Sequence, residues 1–98
     1  MTPRQKELAR HALGLDGTRK QSYRNRFFAG PGHDDFEEWC AMVLDGYARG
    51  REPDPGHRPD HAFWLTYKGA EAAVERGERL CPEDFPPSGR KGLKPKSF

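Results

Sequence analysis

Ninety-eight residues with 34% hydrophobic and 33% charged side chains, nine prolines and eleven glycines describe one small domain with a thin core and long irregular stretches. No run approaches the ~20 apolar residues of a membrane helix, and the first residues lack the apolar stretch of a secretory leader, so a cytoplasmic chain with no membrane partner is expected. The net charge of +2 is unevenly spread, with seven Lys/Arg against two acids in residues 1–28, three against eight in 29–66 and seven against five in 67–98, an asymmetry that bears on partners rather than on fold.

Thr2-Pro3-Arg4-Gln5 predicts a helix start, with Thr2 as cap, Pro3 at the first turn and Gln5 closing a capping box. Leu8, Ala12 and Leu15 share one side, and Gly14 is the expected stop. Residues 16–32 are less regular: Tyr23, Phe27 and Phe28 supply aromatic weight, a short helix over 20–28 fits, and Gly30-Pro31-Gly32 is a turn. Phe36, Trp39, Cys40, Val43, Leu44 and Tyr47 then form a continuous apolar helical stripe, with Asp34 as cap, Glu37 three residues on and Gly46 at the end. Tyr47–Arg51 is expected to be extended, and the prolines of residues 52–61 exclude a helix there. Ala62–Thr66 reads as a strand with Phe63 and Leu65 on one face and Trp64 on the other. Thr66 caps a last helix that turns Ala70, Ala73 and Val74 inward. The expected fold is α+β, about three helices with a two-stranded hairpin over residues 1–81, followed by a Pro-rich, basic, flexible tail over 82–98.

The side-chain chemistry does not assemble into an enzyme's active site. Cys40 falls on the apolar stripe, which makes it a core residue rather than a nucleophile paired with His33, and Cys40 and Cys81 are expected to be free thiols. Cys40, Cys81, His57 and His61 lack the paired close spacing of a structural zinc site, and Gly30-Pro31-Gly32 lacks the lysine and length of a phosphate loop. No metal or cofactor is therefore expected. The clusters that remain admit two readings, a binding surface or solvated charges, the acids as a helix start and the arginines around an inward-packed Tyr23 and Phe27. Asp34, Asp35, Glu37 and Glu38 form an acidic helix start, while Arg19, Lys20, Arg24 and Arg26 interleave with Tyr23 and Phe27 as phosphate contacts interleave with stacking rings. Trp64 projects from the expected hairpin, where an exposed indole suits a protein interface and an equal alternative is cover by the C-terminal tail.

From Leu44 to Ala73, about a third of the chain, Gly46, Arg51, Asp54-Pro55, Arg58 and Leu65-Thr66-Tyr67-Lys68-Gly69 resemble the wing of MarR-type winged-helix repressors. The resemblance implies a winged-helix-like domain whose recognition helix enters the major groove while wing arginines, here Arg49, Arg51 and Arg58, touch the backbone. Ala12-Leu13-Gly14-Leu15, Tyr23-Arg24-Asn25-Arg26-Phe27, Gly30, Gly32 and Asp34-Asp35 resemble small proteins of bacteriophages and prophages. Since four carboxylates at the front of the expected recognition helix would face the like charge of DNA, the expected function is that of a phage-derived interaction protein. It would bind a host protein or a protein–nucleic-acid complex through Asp34, Asp35, Glu37 and Glu38, as an anti-defence inhibitor of the anti-CRISPR kind does. The alternative is a DNA-binding transcriptional regulator using Arg19, Lys20, Arg24, Arg26, Arg49, Arg51, Arg58 and Trp64.

Overall fold

The computed structural model describes residues 1–15, 17–53, 56 and 60–86. Helix α1, Pro3–Leu13, starts as its sequence dictates: Thr2 Oγ1 accepts the Gln5 N–H at 3.1 Å, and Gln5 Oε1 accepts the Thr2 N–H at 3.1 Å. It ends on Gly14 at φ 82°, where the Gly14 and Leu15 N–H groups take up the His11 and Arg10 carbonyls.

The segment after α1 departs from expectation. No helix forms over 20–28, because its backbone donors bond carbonyls far away in sequence. The Ser22 N–H goes to Arg79, the Tyr23 N–H to Leu13 and the Arg26 N–H to Ala12, so no i to i−4 ladder is available. Phe27–Ala29 becomes strand β1 instead, and the sheet has three strands, not the two of a simple hairpin.

Helix α2, Phe36–Leu44, buries Trp39 and Met42 completely. Its cap residue is Asp35 rather than Asp34, and the Asp35 side chain makes no capping bond. The helix stops at Leu44, and Leu44 is 87% exposed rather than inward. Once Met42 faces the core, a residue two positions on is rotated by about 200° and must point to solvent.

Strands β2, Ala48–Arg51, and β3, His61–Leu65, pair antiparallel, with Ala48 opposite Leu65 and Arg49 opposite Trp64. On the other edge β1 pairs antiparallel with β3, Phe27 opposite Phe63 and Phe28 opposite Ala62, giving the order β1-β3-β2. Thr66 caps α3, Tyr67–Ala73, by accepting the Gly69 N–H at 3.2 Å; Ala70 and Ala73 are fully buried, whereas Val74 is the half-buried residue that closes the helix.

Alternation along the strands then sorts side chains between two faces. Phe27, Ala29, Ala48, Phe63 and Leu65 face the core, where the Trp39 ring stacks on Phe63 at 5.5 Å and lies against Phe27 at 5.2 Å. Phe85, expected in the flexible tail, is 6% exposed and sits edge-on to Tyr67 at 5.4 Å, so the packed core reaches past residue 81. Residues 87–98 of that tail lie outside the described residues. No described helix is long and apolar enough to cross a membrane.

Candidate functional site

The acidic cluster splits when the chain folds. Asp35 is buried and ion-paired with Arg4 of α1. Half-buried Glu38 accepts a hydrogen bond from Gln5 Nε2 at 3.3 Å, again on α1. Only Asp34 and Glu37 remain exposed. Half of the expected acidic surface is therefore a seam between α1 and α2.

The basic residues fall into two groups. Arg19, Lys20 and Arg24 stand exposed on the irregular segment around Tyr23. The Tyr23 ring lies under two guanidinium groups, Arg19 at 4.3 Å and Arg24 at 5.3 Å, and Arg24 also donates to the His11 carbonyl at 2.7 Å. A groove of about 720 Å³ beside α1 is lined by Lys6, Arg10, His11, Tyr23 and Arg24. Its charges are largely engaged already: Lys6 pairs with Glu75 at 3.3 Å and Arg10 with Glu78 at 2.6 Å. The Arg10 guanidinium holds the Glu78 carboxyl down to about 2, far below the usual carboxylate range. A groove lined by such pairs has little charge left for a ligand.

The second basic group lies on the sheet. Arg49 and Arg51 alternate with the inward Ala48 and Gly50, so both share the outer face with Ala62 and Trp64 of β3 and Phe28 of β1. Phe28 and Trp64 are half-buried, and neither belongs to the hydrophobic core cluster. Arg26 precedes β1 by one residue and places its guanidinium 5.9 Å from the Phe28 ring centroid. Among the described residues no ion pair engages Arg26, Arg49 or Arg51. The outward Trp64 is where the alternation of Ala62–Thr66 puts it. Arg58 lies outside the described residues.

The structure thus gathers Arg26, Arg49, Arg51 and Trp64 on one surface and leaves Arg19, Lys20 and Arg24 on another segment. Phe28 is the member that sequence reasoning missed. Its signal was the period-two step from Arg26 to Phe28, hidden by the helical reading of residues 20–28. Cys40 and Cys81 are free thiols, and among the described residues no group of three His, Cys, Asp or Glu side chains is close enough to hold a metal ion. The chain was compared with protein-family models, with curated proteins and with solved structures, and it matches none of them.

Proposed function

We propose that the chain is a nucleic-acid-binding domain that takes phosphates on the outer face of its sheet. The observation that carries this reading is the set Arg26, Arg49 and Arg51 around Trp64 and Phe28, on the face away from the core and without carboxylate partners among the described residues. A guanidinium fork that no carboxylate occupies is a ready ligand for phosphate oxygens. The reading follows the winged-helix-like, DNA-binding alternative but moves the contact from helix to strands. Exposed Asp34 and Glu37 at the front of α2 disfavour that helix against phosphates, while β2 and β3 carry no acid on their outer face.

The test is a titration of fluorescein-labelled oligonucleotides, single-stranded and duplex, at several salt concentrations. Three phosphate contacts give a log–log salt slope of about −2 to −3, and replacing Arg49 and Arg51 together by Ala weakens binding at least ~10-fold. Absence of binding to either form at ~50 mM salt overturns the reading.

A second reading, a phage-derived protein that binds a host protein, is supported by Leu44, which is 87% exposed at the end of α2. It predicts that Leu44→Lys abolishes capture of a host partner while the thermal unfolding profile stays unchanged. Capture that survives Leu44→Lys removes this support.

A further inference from the structure

We infer that His33 is a proton-sensitive switch at the front of α2: its neutral ring holds the Asp35 N–H, and its protonated ring leaves that N–H for the Asp35 carboxylate. The inference is independent of the phosphate-binding reading above. In a capping box the side chain at the third helical position, here Glu38, accepts the N–H of the cap residue, here Asp35. Glu38 is turned instead to Gln5 of α1, at 3.3 Å. His33 supplies the missing acceptor, because its Nδ1 accepts the Asp35 N–H at 3.0 Å. A ring nitrogen accepts only while it carries no proton, so this bond requires the neutral tautomer with its proton on Nε2.

Protonation removes this acceptor, because both ring nitrogens of an imidazolium are donors. The part-buried Asp35 N–H then faces another donor, and losing its bond there is costly. The new donor has a partner within reach. Asp35 Oδ2 lies 3.8 Å from His33 Nδ1, while Oδ1 of the same carboxylate is held by Arg4 of α1. A small turn of the ring therefore exchanges the backbone for the carboxylate oxygen that Arg4 leaves open. The His33 side chain is half-exposed and meets the Phe27 ring edge-on at 6.2 Å, a contact that leaves room for the turn. Among the described residues, the titratable and charged groups around the ring are Asp34 and Asp35 on its own segment, Arg4 and His11 of α1, Asp60 beside Gly30 and His61 of β3. His11 touches Phe27 and His61 touches Phe36, so both stand one ring away from the exchange.

The experiment is an NMR titration of the full chain from about pH 8 to about pH 5, the range in which an imidazole takes its proton. At the upper end His33 is expected to show the Nε2–H tautomer. On acidification both of its ring nitrogens become protonated, the Asp35 amide proton moves upfield, and the Asp35 carboxyl carbon moves in the same step. Protection of the Asp35 amide from exchange, corrected for the intrinsic effect of pH, falls ~5-fold or more. His33→Asn keeps a side-chain acceptor for the N–H two residues on but cannot titrate, so its Asp35 amide is expected to hold its upper-end position throughout. An Nδ1–H tautomer at the upper end overturns the inference, as does an Asp35 amide that does not follow the His33 ring. An Asp35 response that persists in His33→Asn also overturns it, because another titrating group then drives the change. Where His33→Asn does not fold, the tautomer and the joint movement of ring, amide and carboxyl carbon in the unaltered chain decide the matter.

Discussion

The smallest features that hold this molecule together are places where only one residue fits. At Gly69 the first turn of α3 lies against the backbone of Tyr47 so closely that a Cβ would collide with the Tyr47 carbonyl oxygen. That same carbonyl accepts the Thr66 N–H at 3.0 Å, and Thr66 Oγ1 donates to the Gly46 carbonyl at 2.7 Å. The junction cannot retreat without breaking these bonds, which explains physically why a glycine follows Leu65-Thr66-Tyr67-Lys68. Gly69→Ala is expected to remove roughly 2–4 kcal/mol of unfolding free energy in a urea titration, and a loss below ~1 kcal/mol would show that the junction yields. Trp39 is the opposite case, a residue whose shape fits better than its chemistry. Its ring is fully buried, yet its Nε1 has no hydrogen-bond partner among the described residues. Trp39→Phe removes that unpaired donor but leaves a small void, two effects of comparable size, so it should change stability by no more than about 1 kcal/mol. Trp39→Ala should cost about 3–5 kcal/mol in the same titration. Equal losses for the two variants would show that something other than packed volume sets the value of Trp39.

Between elements, the ion pairs of Arg4 and Arg10 tie α1 to its neighbours, and they separate structural charge from surface charge. Arg4 reaches Asp35 at the start of α2, so Asp35→Lys places like charges at a partly buried seam and should lower the melting temperature by ~8 °C or more. Asp34→Lys and Glu37→Lys change exposed groups and should move it by no more than ~3 °C. Arg10 grips Glu78 through both nitrogens, at 2.6 and 2.7 Å, and also donates to the Ala73 carbonyl at 3.0 Å. The Glu78 carboxyl is held down to about 2 from an ordinary value near 4.5. Its stabilising contribution is therefore complete above pH 4.5 and is lost as the pH falls toward 2. The amount is on the order of 2 kcal/mol, and Glu78→Gln should flatten stability across that window. A Glu78→Gln variant with an undiminished acid-side loss would assign that loss to other carboxylates. These elements show how much was legible. α1, α2, β2, β3 and α3 were visible because periodicity, caps and turn glycines agree within each segment. β1 was not, because its pairing with β3 joins residues more than thirty positions apart and its three residues are too few to show a period. Leu44 was misplaced because the stripe admits two directions of burial, and contact with the sheet chose the one through Met42.

Across the whole molecule, the candidate site is a property of the sheet rather than of any segment. Arg49, Arg51 and the outward Trp64 could be read from strand alternation, but their meeting with Arg26 and Phe28 depends on the order β1-β3-β2, which no local pattern encodes. The acidic cluster was legible as composition and misleading as surface, because sequence does not show that α1 offers Arg4 and Gln5 to Asp35 and Glu38. The extent of the folded unit follows the same logic. Pro82 and Pro86 end regular structure locally, but Phe85 between them returns to the core, and the Tyr67 hydroxyl donates to the Pro86 carbonyl. A chain that ends at Cys81 loses an aromatic contact and the cover over α3, and exposes apolar surface around Tyr67 and Val74. Phe85→Ala is expected to cost about 2–4 kcal/mol, which for a domain of this size is a fall in melting temperature of ~10–25 °C. If instead Phe85→Ala melts with the unaltered chain, the boundary returns to residue 81 and the segment over α3 contributes nothing to the fold.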